Sequence, residues 1–267
     1  MAGAMPSLDT SVNIALPAIT RRFSLGLGAI SWVVVGYVLT YAALLLGFGR
    51  LADTIGHRRV LLAGLSVSLV GFLLCAAAPS FALLVGARVV QGAGAGMVLG
   101  SAPALVTLSV PPERRSRALG LFQLCVSAGF AAGAPVGGIV LGAWGWSAVW
   151  WFRLPVGAVL LLLVATTPSW PEVPRARGAD GAGVDVPGAL TLAVALAGLL
   201  LAASRGRDLG WTSLVVVGAV IVGMLASVAF VLVERRSSHP VVDLALFRLP
   251  GFALANLLNL AANASGF

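Results

Sequence analysis

GRLADTIGHRRVL, residues 49–61, is a short basic segment that begins with glycine and lies between two long apolar runs. Residues 23–49 and residues 60–87 contain no Asp, Glu, Lys or Arg. Each run exceeds the about 20 residues that a helix needs to cross a bilayer. We therefore predict that the segment joins two membrane helices, and its arginines bear on which side of the membrane it faces.

The composition of the whole chain indicates an integral membrane protein. Of its 267 residues, 59% are hydrophobic and only 10% are charged, and the mean hydropathy is +1.02. A soluble domain carries about 25% charged residues, so this much apolar surface exceeds what one water-soluble core buries. Barrel strands alternate apolar and polar over about 10 residues, whereas these runs are continuous and longer. The predicted fold class is an all-α bundle of membrane helices.

The net charge of +8 comes from arginine alone, because the sequence contains no lysine. A strongly basic chain can indicate nucleic-acid binding, but these arginines lie in short loops, where they orient membrane helices. We therefore predict a lipid bilayer and no nucleic acid as partner. Cys75 and Cys125 lie in separate apolar runs and are expected to be small core residues rather than a disulfide or metal pair.

Apolar runs between charged or Pro- and Gly-rich breaks predict about nine membrane spans. They are residues 3–19, 29–49, 60–78, 82–104, 118–141, 147–167, 187–203, 212–233 and 251–267. The loops on one side, residues 50–59, 111–117, 168–186 and 234–250, carry 11 arginines, and the opposite loops carry four. The positive-inside rule places the first set of loops, and with them the N-terminus, in the cytoplasm.

Residues 168–186 divide the chain into two parts. This segment is rich in Pro, Gly and charge, which predicts a flexible cytoplasmic linker. Residues 1–167 before it form a predicted six-helix bundle. Two further membrane helices (187–233), a cytoplasmic loop (234–250) and the start of another helix (251–267) follow. Because no basic flank precedes the first span and the last span stops at the chain end, we expect a C-terminally truncated fragment.

The first span contains a carboxyl group, Asp9, about 13 Å from the chain start if this segment is helical, and so near the bilayer middle. An ionised carboxylate there costs roughly 2.5–3.5 kcal/mol. Asp9 is therefore expected to be protonated part of the time or to be paired, and either makes it a candidate proton carrier. The alternative is that Asp9 lies at the interface of a poorly placed first helix. Asn13, one turn later, would line the same face.

The fourth span contains a second costly group, Arg88, which stays charged in any environment. We expect Arg88 to face the bundle interior, water or a carboxylate; the alternative is an arginine that snorkels from the outer end of its span. Gln91, one turn later, can hydrogen-bond across helices. Gly92, Gly96 and Gly100 repeat every four residues on one face, which lets another helix approach closely.

The fifth span repeats this glycine pattern and adds a proline. Its members are Gly129, Gly133, Gly137 and Gly138, with Pro135 among them. Because proline removes a backbone hydrogen bond and kinks a helix, the span is suited to bend or slide during transport. Close packing alone explains the glycines equally well.

Arg153 begins the sixth span and has no predicted partner. The tryptophans that precede it, Trp150 and Trp151, are typical of a membrane interface. We therefore expect Arg153 to snorkel outward beside them.

The basic segment itself suggests a gate. Asp53 is predicted to follow a helix end, close to Gly56 and the Arg58–Arg59 pair, and charges at helix ends interact with the helix dipole. One hypothesis is a latch in which Asp53 and the arginines hold the cytoplasmic side shut while the site opens outward. The other is that the arginines only set topology, and the two roles are compatible.

Several stretches, in order, resemble motifs of the major facilitator superfamily. Residues 8–17 resemble the first-helix motif of its fourteen-helix drug:proton antiporters (the EmrB/QacA type), and residues 49–61 resemble the loop between helices 2 and 3. Arg88 with Gln91-Gly92 resembles the helix 4 motif, Gly129–Gly138 the helix 5 antiporter motif, and residues 234–248 the loop entering the ninth helix. The resemblance covers essentially the whole chain and matches the N-terminal part of such a transporter.

The resemblance implies proton-driven efflux of small, often amphipathic molecules or drugs across the cell membrane. The proton gradient is then the energy source, and no cofactor is expected. By position, the resemblance assigns proton coupling to Asp9 and Arg88, and the direction of antiport to the helix 5 kink. It assigns gating to five positions: Gly49, Asp53, Gly56, Arg58 and Arg59.

The sequence departs from the family pattern at two places. Thr54 and His57 stand at commonly basic positions, which weakens the predicted latch. Gly133-Ala134-Pro135 stands where the family has Gly-Pro, so the proline is displaced by one residue. Because the substrate site in such folds lies between two halves at mid-membrane, we expect the remaining C-terminal helices or an oligomer to complete it.

Three functions stay open at this stage. They are a proton-coupled drug exporter, an exporter of a host metabolite or antibiotic with the same fold, and a membrane subunit or fragment that does not transport. Asp9 and Arg88 favour the exporters, because a scaffold has no need of such costly groups. An enzyme is not expected, since the sequence has no His/Cys/Asp cluster at metal spacing and no nucleophile elbow.

Overall fold

The computed structural model describes residues 9–167, 185–237 and 249–265, and these ranges are built of helices and short connections. In chain order the helices are α1 (Thr10–Phe23), α2 (Leu27–Ile30), α3 (Trp32–Ile55), α4 (His57–Ala76), α5 (Phe81–Leu108), α6 (Arg115–Trp144), α7 (Ala148–Trp151), α8 (Arg153–Thr166), α9 (Val186–Leu209), α10 (Leu214–Arg236) and α11 (Pro250–Ser265). A 3-10 turn, Pro112–Arg114, leads into α6. The predicted all-α fold is confirmed.

Seven helical segments of the described ranges are long and apolar enough to cross a membrane. They coincide with the second to the eighth predicted spans. The first predicted span corresponds to α1, and its residues 3–8 lie outside the described ranges. The predicted linker 168–186, apart from its last two residues, and most of the predicted loop 234–250 also lie outside them.

The turn between α3 and α4 is much shorter than the predicted loop. α3 continues through Asp53 to Ile55, and α4 begins at His57, so Gly56 alone joins them. Gly56 has a φ of +104°, which residues with a Cβ atom rarely adopt. The prediction of a loop over residues 50–59 is wrong because apolar composition marks the hydrocarbon boundary, whereas a helix can continue past it into the headgroups and water.

α5 packs closely against both α3 and α4. The α3 side of this seam contains Gly92, Gly96 and Gly100: a Cβ atom added at Gly92 would lie 2.6 Å from the carbonyl oxygen of Tyr37. The α4 side contains Gly94, where an added Cβ would lie 2.6 Å from the backbone nitrogen of Ser68. Glycine therefore brings three helices to backbone contact, as small residues do in membrane proteins.

α6 packs mainly against α1, and its buried residues include the glycines Gly129, Gly133 and Gly137. A Cβ atom added at Gly137 would overlap the Ser11 side chain of α1. Pro135 lies inside α6 on an exposed face, and the neighbouring Gly138 has open space where a Cβ would be. The glycine ladder and the proline thus occupy different faces of one helix. The glycine face is buried, whereas the face with Pro135 is exposed in the described part of the chain.

The hairpin of α9 and α10 lies beside the first six spans. The two helices meet at Gly198 and Gly223. A Cβ added at Gly198 would overlap the facing backbone, and one added at Gly223 would lie 3.0 Å from the backbone nitrogen of Leu199. α9 also packs against α3, with Ala189 beside Gly47. At the other end of α9, the guanidinium of Arg205 lies 5.5 Å from the centre of the Trp32 ring.

The seam between α3 and α5 makes a testable prediction about two glycines of α5. Gly92→Ala should lower the free energy of unfolding by about 1–3 kcal/mol, because the methyl group meets the Tyr37 carbonyl and forces the helices apart. Gly86→Ala is the matched control on the same helix, since Gly86 has nothing within 4 Å of an added Cβ. It should be neutral or stabilising by up to about 1 kcal/mol. Denaturant titration in detergent measures both, and equal midpoints would contradict the close seam.

Candidate functional site

Asp9 immediately precedes the first residue of α1, and its carboxylate lies among donors from two other helices. Its Oδ1 atom accepts hydrogen bonds from Arg88 Nη1 (2.9 Å), Arg153 Nη1 (2.9 Å) and Gln91 Nε2 (3.1 Å). Its Oδ2 atom accepts one from Arg88 Nη2. We call Asp9, Ser11, Arg88, Gln91 and Arg153 the ion cluster. Within it, Asp9 forms ion pairs with Arg88 and Arg153, and the Asp9 side chain is only 13% exposed.

Arg88 approaches the carboxylate from α5 and is fully buried. Besides its two bonds to Asp9, its Nε donates to the backbone carbonyl of Val33 at 2.7 Å, and its Nη1 donates to Gln91 Oε1 at 2.6 Å. The guanidinium lies 4.3 Å from the centre of the Tyr37 ring, within the range of a cation–π interaction. The alternative of a snorkelling Arg88 is therefore wrong, since every nitrogen of its guanidinium donates to a group inside the bundle.

Gln91 bridges the two charges from the same helix as Arg88. Its amide oxygen accepts from Arg88, and its amide nitrogen donates to Asp9, so both ends of the side chain are used. Gly71 of α4 makes room for it, because a Cβ added there would lie 2.7 Å from the Gln91 Cα atom. Gln91 therefore orients the ion pair, and a glycine on the facing helix allows it to do so.

Arg153 does not lie where the sequence predicts. The prediction that it snorkels outward is wrong, because its side chain is fully buried. Its Nη1 atom donates to Asp9, and its Nη2 atom donates to the hydroxyl of Ser11. Its guanidinium also lies 5.4 Å from the centre of the Phe72 ring.

A signal for this pairing was present in the sequence. Asp9 is the only acidic residue within the first six predicted spans, while Arg88 and Arg153 are both basic. An arginine that must be buried needs a carboxylate, and only one was available. With Asp9 ionised, the cluster carries a net charge of +1, from two guanidiniums and one carboxylate.

Asn13 takes a different position from the one expected. It lies one turn after Asp9 but is exposed, and the described residues place no hydrogen-bond partner on its side chain. Ser11, between them in sequence, is fully buried and belongs to the ion cluster. The first turn of α1 thus directs Asp9 and Ser11 inward and Asn13 outward.

The turn between α3 and α4 holds the other predicted site residues, and it is separate from the ion cluster. Asp53 lies in the last turn of α3 and pairs with His57 Nε2 at 3.4 Å, while 56% of the Asp53 side chain is exposed. Gly49 is a packing residue inside α3, where an added Cβ would lie 3.7 Å from the carbonyl oxygen of Gly100. The expectation that Asp53 follows a helix end is wrong, because α3 extends beyond it.

Arg58 reaches from this turn to the end of α8. Its Nη2 atom donates to the carbonyl oxygens of Val164 (3.2 Å), Ala165 (2.9 Å) and Thr167 (3.3 Å). A cation at this position satisfies carbonyls that a helix end leaves unpaired. Arg59 is exposed, and within the described ranges neither arginine forms an ion pair with Asp53. The gating role of this turn stays a prediction. The contact that the structure adds to it is the one between Arg58 and the end of α8.

Comparison with known proteins agrees with this architecture. The family described as Major Facilitator Superfamily matches residues 2–261. The methylenomycin A resistance protein of Streptomyces coelicolor is 38% identical over 261 residues, which cover 97% of this chain and 54% of that protein. The multidrug resistance protein Stp of Mycobacterium tuberculosis is 37% identical over 245 residues, which cover 91% of this chain and 45% of that protein. The chain spans about half the length of the curated relatives it matches.

A solved structure shows the same fold. The bacterial homolog of the human lysosomal transporter Spinster, in an inward-facing and occupied conformation, aligns with a TM-score of 0.56 at 21% sequence identity. The alignment covers 92% of this chain and 62% of that one.

The charge balance of the ion cluster predicts an order of stability. Asp9→Asn leaves two buried guanidiniums without a carboxylate and should cost about 3–5 kcal/mol of unfolding free energy. Arg153→Gln leaves the Asp9–Arg88 pair, which is neutral, and should cost clearly less. Unfolding of the purified chain in mixed micelles with increasing SDS measures both variants. A loss from Arg153→Gln as large as that from Asp9→Asn would contradict the charge argument.

The Arg58 contact predicts a local effect at the end of α8. Arg58→Gln removes the donor to three carbonyls and should raise hydrogen exchange of the last α8 amides about fivefold, the equivalent of about 1 kcal/mol for one hydrogen bond. Arg59→Gln is the adjacent control and should leave these amides unchanged. Hydrogen exchange followed by mass spectrometry of peptides covering residues 160–167 makes the comparison. Equal protection in both variants would show that Arg58 does not stabilise this helix end.

Proposed function

The chain belongs to the major facilitator superfamily, and on that premise we propose that it forms part of a proton-coupled exporter of small amphipathic compounds or drugs. The subfamily that fits its motifs is that of the fourteen-helix drug:proton antiporters. The observation that carries the proposal is the buried Asp9–Arg88 pair, which joins α1 to α5 inside a bundle of membrane helices.

A buried carboxylate of this kind can couple proton binding to helix movement. When Asp9 binds a proton, it loses the negative charge that compensates the two guanidiniums, and its bonds to them weaken. The helices that carry these groups are then held together less firmly, and the pair re-forms when the proton leaves. In an antiporter, proton entry would accompany one helix arrangement and substrate exit the other.

We propose a cytoplasmic N-terminus and a location in the plasma membrane. The arginine excess at residues 50–59 and 111–117, on one side of the predicted bundle, supports this orientation. The contact of Arg58 with the end of α8 supports it too, because it places the α3–α4 turn and the start of the predicted linker on one side. In this orientation the Arg58 contact belongs to the cytoplasmic gate.

Two kinds of cargo have specific support. The relative named for multidrug resistance favours a range of drugs, which suits amphipathic compounds of varied shape. The relative named for methylenomycin A resistance favours a single antibiotic, and it matches this chain at similar identity. The third possibility, a membrane subunit that does not transport, lacks a reason to bury Asp9, Arg88 and Arg153.

We also propose that a complete substrate site needs more helices than the described ranges provide. In folds of this kind the site lies between two halves at mid-membrane. The relatives are about twice as long as this chain, and their further helices are one source of the second half. An oligomer of this chain is the other.

The proposed coupling predicts loss of proton movement on neutralising one carboxyl group. In inverted membrane vesicles, addition of methylenomycin A or of a cationic dye such as ethidium should drive proton release, followed with a pH-sensitive fluorophore. Asp9→Asn should reduce this release at least about tenfold, the equivalent of about 1.4 kcal/mol or more, because the variant cannot bind the proton. Glu113→Gln is the control, since Glu113 is an exposed carboxylate in the 3-10 turn before α6.

The outcomes separate the candidate functions. Release that persists in Asp9→Asn would rule out Asp9 as the proton carrier. Release with methylenomycin A but not with ethidium would favour the single-antibiotic exporter. Absence of release from the unmodified chain with either compound would favour the third possibility, a subunit or fragment that does not transport without further helices.

A further inference from the structure

We infer that the start of α6 is a binding surface for the headgroups of anionic phospholipids. The surface consists of Arg114, which ends the 3-10 turn, and of Arg115 and Arg117, the first and third residues of α6. We call these three residues the α6 arginines. Binding of this kind concerns the membrane around the chain, so it is independent of transport and goes beyond the proposed function.

The α6 arginines are available to a partner outside the chain. All three are exposed, and within the described ranges none of them forms an ion pair. The adjacent Glu113 is exposed as well, and in that part of the chain it does not pair with them. Arg88 and Arg58, by contrast, donate to groups inside the chain. The α6 arginines have no such task in the described part of the fold.

The position of the α6 arginines opposes the stability of their own helix. Three neighbouring guanidiniums repel one another, and the N-terminal end of a helix carries a partial positive charge, so cations there destabilise the helix. The first turn of α6 contains no acidic residue, and no side chain caps it. A bound anion would offset this repulsion. The charges therefore favour an anionic partner from outside the chain.

The depth of the α6 arginines in the membrane indicates which anion this is. Leu121 and Leu124 follow Arg117 by one and two turns on the same face of α6, with exposed fractions of 58% and 63%. Along the helix axis they lie about 6 Å and about 10 Å beyond Arg117. The apolar face that lipid chains contact therefore begins within one or two turns of Arg117, and the guanidiniums lie at the level of the lipid phosphates.

An anionic phospholipid satisfies both conditions at once. Its phosphate accepts charge-assisted hydrogen bonds from guanidiniums, and its acyl chains cover the exposed leucines. The headgroup of phosphatidylcholine also has a phosphate, but its own ammonium group neutralises that charge. A free phosphate ion has the charge without the acyl chains. Basic residues beside a membrane helix attract anionic lipids in this way.

Other helices also have exposed arginines on this side of the bundle. The turn at residues 77–80 is short, so the end of α5 and the start of α6 lie on the side of the α3–α4 turn, where Arg59 is exposed. α10 ends on this side too, with Arg235 and Arg236 exposed, because α9 runs antiparallel to α3 and α10 returns. Within the described ranges the α6 arginines are the largest group on this side.

The test compares hydrogen exchange at the start of α6 in nanodiscs of phosphatidylglycerol and in nanodiscs of phosphatidylcholine with the same acyl chains. In the unmodified chain, phosphatidylglycerol should slow exchange in peptides covering residues 111–122 about threefold, because the anion offsets the repulsion at the helix start. The triple variant Arg114→Gln, Arg115→Gln, Arg117→Gln should show no difference between the two lipids. In phosphatidylcholine it should exchange more slowly than the unmodified chain, since the repulsion is gone.

Two further variants serve as controls. Replacement of all three α6 arginines by lysine keeps the charge and should keep the difference between the lipids. Arg21→Gln combined with Arg22→Gln removes two exposed arginines at the end of α1. That end lies on the opposite side of the bundle, because Phe23 contacts Phe81 at the start of α5. This double variant should leave the exchange of residues 111–122 as it is in the unmodified chain.

Native mass spectrometry provides a second readout, with both lipids offered in competition. The unmodified chain should retain phosphatidylglycerol in preference to phosphatidylcholine, and the triple glutamine variant should bind it at least about tenfold more weakly, since each basic residue near an anionic surface contributes roughly fivefold. Equal binding by these two proteins would overturn the inference, as would equal exchange of the unmodified chain in the two lipids. Slowing of the same size by inorganic phosphate in phosphatidylcholine nanodiscs would indicate a site for a free anion and would overturn the assignment to lipid.

Discussion

The pairing of one carboxylate with two guanidiniums inside an apolar bundle is the constraint on which the arrangement of the first six spans depends. An unpaired charge among membrane helices is far costlier than any single apolar contact is favourable. Asp9, Arg88 and Arg153 therefore require that α1, α5 and α8 converge, whatever else packs around them. The helix crossings have to bring these three side chains to one point.

Glycine provides the close approach that this convergence needs. Gly71 packs against Gln91, and Gly137 packs against Ser11. Each of these two members of the ion cluster thus has a glycine beside it on a facing helix. Gly137 belongs to α6, the helix that contains Pro135, and an added Cβ would overlap the Ser11 side chain that holds Arg153. The glycine pattern of the fifth predicted span and the ion cluster are thus in direct contact, although they are far apart in sequence.

The sequence predicted the parts of this structure that follow from local composition. The length of the apolar runs predicted the membrane helices. The cost of burying charge predicted that Asp9 is protonated or paired and that Arg88 faces the bundle interior, water or a carboxylate. Two errors have one cause, since each charged residue was interpreted beside its neighbours in the chain. Asp53 looked like a loop residue because it is polar, yet α3 simply extends past the apolar run. Arg153 looked interfacial beside tryptophans, yet its partner lies 144 positions away in the sequence.

α8 connects the two polar regions of the bundle. Its first residue is Arg153, bonded to Asp9 and Ser11, and its last turn offers the carbonyls that Arg58 binds. The 14 residues of α8 form a rod of about 21 Å, and a hydrogen-bonded helix of this length moves as a unit more readily than it stretches. A displacement that separates Arg153 from Asp9 therefore also displaces the carbonyls at Arg58. The ion cluster and the α3–α4 turn are mechanically linked through one helix, without any contact between Asp9 and Asp53.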